Sequence, residues 1–421
     1  MNRRENDKMK LQPKKINLLI ISHVFPYPKN SGQGLRVHYT LKALRPIFNI
    51  VFLTSESFID QESEEEAEIR LLCDELILLP TVYKRSHFDH IFIKFSGAIY
   101  SFFTGLKFSN FLAAYFEFSP KRIRMATLGL SLDLVLFEYW HAYKSISVFK
   151  SRNIPCILDM HNVLLHSYIS QYDWTLPRFV KRIHIRKYQI AEVNSWKSFD
   201  AIIAINNSEL NYVKRHVSSS VKLFYIAMGI DMSVWPYVWQ PCKPQRLAYY
   251  GGMGSLHNKR NALFCVESVM PFIWEKYPDT EFWIIGNDPD NELVSLEEDP
   301  RIHVTGYQEK VQDSLKYISV FLCPWHGKYG FRSRIIEVMA TGVPVICSRD
   351  AVDGMELQEG EGLFFAESGP EFASLAVAFL SDKELLANQS KQARKQVEEI
   401  YSFENTYQSG FEEIKIWVLN R

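Results

Sequence analysis

Short apolar runs of strand length alternate along the chain with stretches in which apolar residues recur at helical spacing. The first half contains the runs INLLIIS, IVFLTS, LILLP, LDLVLFEYWH, IPCILDMHN and FDAIIAIN, and the second contains RLAYYGG, EFWIIG, RIHVTG, SVFLCPW and VPVICS. Uninterrupted apolar runs are typical of parallel strands that helices cover on both faces. The pattern predicts an α/β protein with two Rossmann-like, doubly wound domains that face a central cleft.

Chain length and a group of prolines set the expected domain boundaries. A chain of 421 residues exceeds one ordinary hydrophobic core. Pro236, Pro241 and Pro244 interrupt an irregular stretch that we interpret as an interdomain hinge. We expect a disordered tail at 1–15, an N-terminal domain at 16–235, a hinge at 236–245, a C-terminal domain at 246–398, and a C-terminal helix at 399–421, with a return of that helix to the N-terminal domain left open.

Charge and cysteine content narrow the class of function and the compartment. Basic and acidic residues balance at 48 each, so no overall positive field would recruit nucleic acid. The six cysteines lack metal-ligand spacing, which is typical of a reducing cytosol and argues against structural zinc. No apolar run reaches the roughly 18 residues of a transmembrane helix, and the charged N-terminus lacks the apolar core of a secretory signal. We therefore expect a cytoplasmic protein.

The stretch WHGKYGFRSRIIEVMATGVPVICS, from Trp325 to Ser348, has the most distinctive pattern. It predicts the end of a strand, a glycine turn, a helix that Gly342 and Pro344 terminate, and another strand. Such a turn directs backbone N–H groups and a helix dipole at one point, which makes an anion site. Arg332 and Arg334 would add positive charge there, and Glu337 could accept two hydrogen bonds from a ribose diol. The pattern therefore indicates a nucleotide site, and a surface helix with an Arg–Glu pair is the alternative.

The first domain contains two further candidates for ligand contact. Gly32 and Gly34 lie in a loop after the first strand, where glycines allow close backbone approach, although a plain tight turn has the same signature. His161 follows the strand IPCILDMHN, at the sheet edge where parallel α/β proteins bind ligands. It could orient an acceptor hydroxyl or accept its proton, and a purely structural histidine is the alternative.

Two other segments admit more than one interpretation. The stretch from Lys84 to Arg124 is dense in Phe and Tyr with interleaved Lys and Arg. It could be an amphipathic platform for a membrane surface or a lipid-linked substrate, or a set of helices packed on the sheet. The pair Asp288 and Asp290 matches the spacing of a DxD metal motif. Because so short a motif often arises by chance, we interpret it as a loop and expect no metal site.

The chain resembles bacterial glycosyltransferases of the GT-B fold, in the large retaining group called family 4. It is most similar to the sugar transferases that build exopolysaccharides and related glycans. The stretches that carry the resemblance are PYPKNSGQGLRVHYTLKAL, LDMHN, GGMGSLHN, FWIIGNDP, RIHVTGYQEKV and GFRSRIIEVMATGVPVI. The last is specific, and the ordered series covers nearly the whole chain after the tail.

The resemblance implies roles for particular residues. Glu337 matches the second glutamate of the E-x7-E signature, which holds the donor ribose, and Arg334 matches a basic position near the diphosphate. The remaining matches are Gly330, Phe331 and Arg332 in the turn beside the donor, Gly32 and Gly34 in the loop over the donor phosphates, and His161 near the acceptor-side histidine.

The chain departs from the family pattern at two places. The first glutamate of E-x7-E is replaced by Tyr329. The phosphate clamp after the first strand of the second domain reads Gly252, Met253 and then Asn258, with Lys259 or Arg260 as substitutes at a shifted position. These changes leave the identity of the donor open.

The resemblance implies a metal-independent, retaining transfer that needs no cofactor. The donor would be a UDP- or GDP-linked sugar, and the acceptor a hydroxyl of a glycan or lipid-linked molecule. We expect a cytoplasmic enzyme, with peripheral contact at the inner membrane face as one interpretation of the aromatic segment. The alternatives are a sugar-nucleotide 2-epimerase, which shares the architecture but needs no acceptor, and a non-catalytic subunit that binds a sugar nucleotide. The oligomeric state is left open.

Overall fold

The structure is a computed structural model that describes residues 15–27, 31–56, 63–82, 87–104, 106–171, 177–328 and 330–421. The tail assigned to residues 1–15 lies, except for Lys15, outside the described residues. Two parallel sheets form the centres of two domains. The predicted α/β class and the pair of doubly wound domains are therefore confirmed.

Seven parallel strands form the sheet of the N-terminal domain, in the order β3-β2-β1-β4-β5-β6-β7. Along the chain they are β1 (Ile16–Ile21), β2 (Phe48–Ser55), β3 (Glu75–Leu79), β4 (Leu134–Glu138), β5 (Cys156–Asp159), β6 (Ala201–Ala204) and β7 (Lys222–Tyr225). Strand β1 pairs with both β2 and β4, so the winding direction reverses between β1 and β4. A reversal of this kind opens a crevice at the carboxyl ends of the strands.

Helices cover both faces of this sheet. They are α1 (Gly32–Leu44), α2 (Ser63–Leu72), α3 (His87–Thr104), α4 (Phe108–Leu112), α5 (Pro120–Ala126), α6 (Ile146–Lys150), α7 (Leu164–Gln171), α8 (Arg178–Trp196) and α9 (Asn207–Lys214). Side chains alternate between the two faces of a strand, so Leu19 and Leu18 of β1 belong to different apolar cores. Both cores are closed to water, which explains the uninterrupted apolar strand sequences.

Six parallel strands form the sheet of the C-terminal domain, in the order β10-β9-β8-β11-β12-β13. They are β8 (Arg246–Tyr250), β9 (Glu281–Ile285), β10 (Ile302–Val304), β11 (Val320–Cys323), β12 (Val345–Cys347) and β13 (Leu363–Phe365). The flanking helices are α10 (Leu256–Phe264), α11 (Met270–Trp274), α12 (Asn291–Val294), α13 (Val311–Leu315), α14 (Ser333–Thr341), α15 (Gly369–Ser381) and α16 (Lys383–Tyr401). One more helix, α17 (Ser409–Leu419), follows them along the chain. The winding direction reverses between β8 and β11, which places α14 beside this second crevice.

Helix α14 has the start and stop that the sequence predicts. Gly342 follows the helix with φ of +95°, a left-handed conformation that glycine adopts without steric cost. A Cβ atom at this position would also lie 2.4 Å from the ring of Tyr237. Both the turn and the packing therefore require glycine at the end of α14.

The chain crosses between the domains at two adjacent places. Ile230 and Ser402 form a parallel bridge, so the outgoing and returning segments lie side by side. Residues downstream of the first crossing already contact the C-terminal domain: the Tyr237 hydroxyl bonds to Ser390, and the Trp239 ring donates to the Ile318 carbonyl. The crossing thus lies upstream of the 236–245 segment that the prolines indicated.

The last helix, α17, belongs spatially to the N-terminal domain. Phe411 and Ile414 of α17, together with Tyr407 just before it, are buried in the same apolar core as Phe48 of β2. The Trp417 ring also meets Phe224 of β7 edge to face, with ring centroids 5.8 Å apart. The C-terminal end of the chain thus helps to hold the two domains together.

Candidate functional site

A cavity of about 620 Å³ lies between the two domains, at the carboxyl ends of the strands. The N-terminal domain contributes the start of α1, and the C-terminal domain contributes the loops after β8, β9 and β10 together with the start of α14. We call it the interdomain cavity. Its lining includes Ser31, Gly32, Leu35, Trp235, Tyr250, Gly251, Gly252, Asn287, Asp288, Tyr307, Gln308, Gln312, Ser333, Arg334 and Glu337.

Arg334 supplies positive charge to the interdomain cavity from the first turn of α14. Its Nη1 donates to the Tyr250 carbonyl at 3.2 Å and to Asn258 Oδ1 at 2.8 Å. A Cβ atom on Gly251 would lie 2.2 Å from that Nη1, so Gly251 leaves the space that the guanidinium occupies. Both hydrogen bonds come from Nη1, and among the described residues Nε and Nη2 have no hydrogen-bond partner. Their N–H groups can therefore meet an anion.

Glu337 lies one turn after Arg334 on the same helix and lines the interdomain cavity. Only 6% of the residue is exposed. Burial raises the pKa of Glu337, while hydrogen bonds from Ser333 and Tyr250 and the charge of Arg334 oppose that rise. The carboxylate is thus held in place by two hydroxyl donors at the edge of the gap. It also borders a neighbouring cavity of about 350 Å³ against α1.

Asn258 acts on the site through its neighbours. Its Oδ1 accepts from Arg334 and from the Tyr249 hydroxyl, and its Nδ2 donates to the Gly252 carbonyl at 2.7 Å. Asn258 is buried and is not among the residues that line the interdomain cavity. It therefore positions the Gly252 backbone and the Arg334 guanidinium.

Lys259 points to carboxylates outside the cavity lining. Its ammonium contacts Asp290 and Glu292. Asp290 also accepts from Leu293 N as the N-cap of α12. In this conformation Lys259 does not line the interdomain cavity with Arg334. Asp290 caps α12 and Glu292 lies in its first turn, so both carboxylates lie at the start of α12, directly after the loop that begins the DxD match at Asp288.

The turn before α14 joins the two domains. Gly330, at φ of +69°, donates its N–H to Glu209 Oε1 at 3.2 Å and accepts from Asn206 Nδ2 at 3.1 Å. Burial raises the pKa of Glu209 to about 7, against the hydrogen bonds from the Val163 and Gly330 N–H groups. Asn206 and Glu209, both at the start of α9, thus fix the turn from the opposite domain.

The side chains of Phe331 and Arg332, the two residues after Gly330, point in different directions. The Arg332 guanidinium lies 4.0 Å from the centroid of the Trp325 ring and donates to the Gly327 carbonyl. Phe331 packs edge to face on Tyr401, away from the interdomain cavity. The substitution of the signature glutamate by Tyr329 lies outside the described residues.

On the N-terminal side, Gly32 and Gly34 stand at the start of α1. The Gly34 N–H donates to the Ser31 hydroxyl at 3.1 Å, which caps the helix. Gly32 lines the interdomain cavity, and a Cβ atom at Gly32 would meet nothing within 4 Å. Gly34 is buried within the helix. Of the two predicted glycines, Gly32 is the one that borders the cavity.

A group of buried polar residues, which we call the strand-end cluster, lies at the carboxyl ends of β4 and β5 and against α1. Its members are Arg36, Glu138, Tyr139, Asp159 and His161. Both oxygens of Asp159 accept from Arg36, at 3.0 and 3.1 Å. His161 Nε2 lies 2.5 Å from Glu138 Oε2. Tyr139 has φ of +65° and stacks on the His161 ring with centroids 4.2 Å apart.

Burial favours the neutral forms of Glu138 and His161. It raises the pKa of Glu138 to about 8 and lowers the pKa of His161 to about 4. The two groups therefore share one proton at neutral pH. His161 Nδ1 is buried and has no hydrogen-bond partner among the described residues. An unpaired buried nitrogen costs about 1–3 kcal/mol, which a ligand hydroxyl could offset.

His161 lies on the N-terminal side of the gap, near the turn that precedes α14. A Cβ atom at Gly330 would lie 4.0 Å from Nδ2 of Asn162, the next residue after His161. Glu138, Asp159 and His161 are also close enough to be considered as metal ligands, with their donor atoms within 4.8 Å of one another. However, Arg36 occupies both oxygens of Asp159, and its positive charge opposes a second cation there. The cluster is better suited to a hydroxyl group than to a metal ion.

The structure brings four of the predicted residues to one cavity and separates the others. Gly32, Gly252, Arg334 and Glu337 line the interdomain cavity. Four further residues of these sites were not identified from the sequence, namely Arg36, Tyr250, Asn206 and Glu209. The available signals were the polar ends of apolar strands, which mark Tyr250 and Asn206, and the ionisable residues near them.

Comparisons with known proteins agree with this architecture. Residues 244–382 match the family model described as "Glycosyl transferases group 1". A comparison with curated protein sequences found no match. Among the described residues, no helix is both long and apolar enough to cross a bilayer.

Several solved structures share the fold over nearly the whole chain. Sucrose-phosphate synthase from Thermosynechococcus elongatus has a TM-score of 0.66 at 15% identity, covering 97% of this chain and 100% of that one. Anabaena HepE in complex with UDP and glucose has a TM-score of 0.58 at 11% identity, covering 95% and 99%. A mutant of S. aureus TarM, in complex with Fondaparinux, alpha-GlcNAc-glycerol and UDP, has a TM-score of 0.59 at 10% identity, covering 96% and 100%.

The two parallel sheets, the cavity at their carboxyl ends and the match over residues 244–382 lead to one conclusion. The chain has the GT-B fold, and residues 244–382 of its C-terminal domain match the group 1 glycosyl transferases.

Proposed function

We propose that the protein transfers a sugar from a nucleotide diphosphate sugar, UDP- or GDP-linked, to a hydroxyl of a glycan or lipid-linked acceptor. The transfer retains the configuration of the anomeric carbon and needs no metal ion. The observation that carries this proposal is the placement of Arg334 and Glu337, one turn apart on α14, with both side chains lining the interdomain cavity.

The donor binds, in this proposal, along α14. The two ribose hydroxyls donate to the Glu337 carboxylate, which Ser333 and Tyr250 already orient. The diphosphate lies over the first turn of α14, where free N–H groups and the helix dipole favour an anion. Arg334 neutralises part of its charge. HepE, a protein of the same fold, has been solved with UDP and glucose, which supports a UDP-linked donor.

Stabilisation of the leaving diphosphate is the main chemical task. As the bond between the anomeric carbon and the phosphate oxygen breaks, its electron pair moves to that oxygen. The acceptor oxygen then attacks from the same face, and its proton passes to the departing phosphate. Fixed donors in a site that excludes water stabilise such developing charge more than water does. Arg334 and the N–H groups of α14 would provide those donors without a metal.

The strand-end cluster would supply the acceptor side. Its neutral His161 has a buried Nδ1 without a partner among the described residues, and the Glu138 contact fixes the orientation of the ring. We propose that His161 hydrogen-bonds a sugar or acceptor hydroxyl as the domains close. Closure would turn about the paired crossings at Ile230 and Ser402, and the contacts from Gly330 to Asn206 and Glu209 would align the two sides.

A panel of nucleotide sugars, followed by a product assay, tests this proposal. Thermal unfolding should show one class of donor that stabilises the protein, by about 2.7 kcal/mol at 100 times its dissociation constant. Glu337→Ala should lose that stabilisation, and the exposed Glu413→Ala should keep it. If no nucleotide sugar stabilises the protein, or if Glu337→Ala responds like the wild type, the donor assignment is wrong.

Retention of the anomeric configuration and independence of metal ions are tested on the reaction and its product. With the responding donor and a panel of acceptors, the anomeric configuration of the product, measured by NMR, should match that of the donor. Added EDTA should leave the rate unchanged. An inverted product or a rate that depends on added metal would contradict the proposed mechanism. Donor alone, incubated with the enzyme, should give no epimerised sugar.

A further inference from the structure

Helix α3 presents an apolar face to solvent. Six of its side chains are between 44% and 70% exposed. They are Ile91, Phe92, Phe95, Ile99, Phe102 and Phe103. At about 100° per residue, all six fall on an arc of roughly 120°, whereas the buried Ile93 and Gly97 fall on the opposite side. The six side chains therefore form one continuous apolar stripe, in contrast to the isolated exposed apolar residues that are common on protein surfaces.

Helix α8 carries a second, narrower stripe with basic residues on both sides. Phe179, Ile183 and Ile190 are between 49% and 67% exposed and lie on an arc of roughly 40°. The exposed arginines Arg178, Arg182 and Arg186 follow one edge of this stripe, and the exposed Lys187 borders the other. The only acidic residue of α8 is the buried Glu192.

The two helices form one surface. Lys187 Nζ of α8 donates to the carbonyl of Phe103 at the end of α3, at 2.6 Å. On α3, whose side chains are described from Ile91 onward, the exposed Lys94 adds a positive charge. We call this surface the α3–α8 platform. Apolar rings bordered by cations match a bilayer surface, where the rings enter the acyl boundary and the cations meet anionic headgroups.

We propose that the α3–α8 platform docks the enzyme on the surface of an anionic phospholipid bilayer. Charge complementarity selects this occupant: the exposed charges on the described faces of α3 and α8 are all positive, so the platform attracts a negative surface. The docking depends on neither the donor nor the transfer reaction, and it can be measured without turnover.

Docking in this way would bring the acceptor side of the enzyme to the lipid. Glu192 of α8 accepts from the Trp140 ring at 3.2 Å and from Leu164 N at 2.8 Å. Trp140 follows β4, and Leu164 follows the loop that carries His161. The platform is therefore joined directly to the strand ends that form the strand-end cluster. An acceptor held in the bilayer would reach that cluster from the same side.

Vesicle co-sedimentation of the full chain tests the proposal, with vesicles of phosphatidylcholine alone and of phosphatidylcholine with phosphatidylglycerol. The wild type should pellet with the anionic vesicles and remain in solution with the neutral ones, and high salt should release it. Replacing Phe92, Phe95, Phe102 and Phe103 together with Ser should weaken binding at least about tenfold. A control that replaces Phe272, Val294, Leu385 and Ile416 with Ser, all exposed on other helices, should bind like the wild type.

A second variant tests the charges without changing the apolar stripe. Arg178→Gln, Arg182→Gln and Arg186→Gln together should weaken binding to anionic vesicles, by about fivefold for each cation removed. Donor-induced thermal stabilisation should persist in both platform variants, which separates this proposal from the proposed donor site. That measurement also shows whether each variant is folded.

Three results would overturn the proposal. One is a wild type that ignores anionic vesicles or binds neutral vesicles equally well. Another is an arginine variant or a folded phenylalanine variant that binds as tightly as the wild type. The third is a wild-type dimer in size-exclusion chromatography that becomes a monomer in the phenylalanine variant without any vesicle binding, because the platform would then cover a second copy of the chain.

Discussion

The two domains present their ionisable groups to the gap in opposite ways. In the C-terminal domain, Arg334 and Glu337 line an open cavity and are held by neutral donors and acceptors. In the N-terminal domain, Arg36 and Asp159 are closed off from water and satisfy each other. The first arrangement leaves charge available for a charged ligand. In the second, Arg36 and Asp159 neutralise each other, and the neutral His161 ring beside them suits a neutral hydroxyl better than a charged ligand.

This difference separates stability from binding. A buried pair that loses one partner leaves an uncompensated charge in the protein, which mainly affects folding. Replacing a charged residue that lines a cavity instead removes its contacts with the ligand, which mainly affects binding and catalysis. Substitutions in the N-terminal pair should therefore change stability, and substitutions at the cavity should change binding and catalysis.

Asp159→Ala should have the largest effect, on stability. It leaves the buried Arg36 cation without its carboxylate partner, with only the Ile226 and Ala227 carbonyls as acceptors, so the free energy of unfolding should fall by about 3–5 kcal/mol. Chemical denaturation measures this change. Arg36→Met combined with Asp159→Leu should recover most of the loss, and Arg70→Ala, which removes an exposed pair with Glu66 on α2, should cost less than about 1 kcal/mol. A loss for Asp159→Ala as small as that of Arg70→Ala would contradict the buried pairing.

Arg334→Ala should leave stability almost unchanged and lower kcat/KM by about 10²–10³, because in the proposed mechanism Arg334 donates to the leaving diphosphate. Steady-state kinetics with the responding donor give the ratio. Arg334→Lys keeps the charge but loses the planar fork, so it should fall between the wild type and Arg334→Ala. If Arg334→Ala unfolds the protein without lowering the activity of the folded fraction, the contrast between the domains fails.

Gly251→Ala should weaken donor binding about tenfold, since the added Cβ would occupy the position of Arg334 Nη1 and displace the flexible guanidinium. Isothermal titration of the donor measures the change. In the Arg334→Ala background the same substitution should have no further effect, because the group it displaces is gone. Additive losses in the double variant would show that Gly251 acts by some other route.

The pH dependence of stability reports the strand-end cluster. Because burial raises the pKa of Glu138 from 4.5 to about 8, the folded protein holds a proton there that the unfolded chain has released within that range. The free energy of unfolding should therefore fall as pH rises through this window, by up to about 1.4 kcal/mol per pH unit for this group. His161, with its pKa lowered from 6.5 to about 4, opposes the trend below pH 6.5.

The slope is therefore measured between pH 6.5 and 8, by denaturation at each pH. Glu192 and Glu209, whose pKa values burial raises to about 8 and about 7, add to the fall in the same direction. Glu138→Gln should flatten the slope, and Glu413→Gln, at an exposed position, should not change it. An identical slope in Glu138→Gln and the wild type would show that Glu138 ionises normally.

Lys259→Ala should have the smallest effect. Its ammonium is engaged by Asp290 and Glu292, and exposed pairs of this kind contribute about 0–1 kcal/mol. Donor affinity should thus change by less than about fivefold. A loss comparable to that of Arg334→Ala would mean that Lys259 leaves its carboxylates and turns to the diphosphate when the donor binds.

The features that the sequence predicts best are local along the chain. The strand, glycine turn, helix and stop around α14 lie within one short stretch, and one helical turn places Arg334 and Glu337 on neighbouring positions. The spacing therefore predicts their joint placement, and the alternating apolar runs predict the two domains. Both signals need only near neighbours in sequence.

The features that escaped prediction join distant parts of the chain. Arg36 and Asp159 are separated by 123 positions, and Gly330 and Glu209 by 121. No periodicity links such residues, so only the folded sheet order reveals them. Lys259 shows the converse. Its position beside the glycine loop suggests a phosphate contact, but in the structure its ammonium meets Asp290 and Glu292 at the start of α12.

The central claim is that Glu337 holds the ribose of the donor, and paired titrations test it most directly. The dissociation constant of the responding nucleotide is compared with that of its analogue lacking both ribose hydroxyls, for the wild type and for Glu337→Ala. The wild type should lose at least about tenfold in affinity for the analogue, since its carboxylate loses two charge-assisted hydrogen bonds, whereas Glu337→Ala should bind the two nucleotides equally. An equal loss in both proteins would contradict the account.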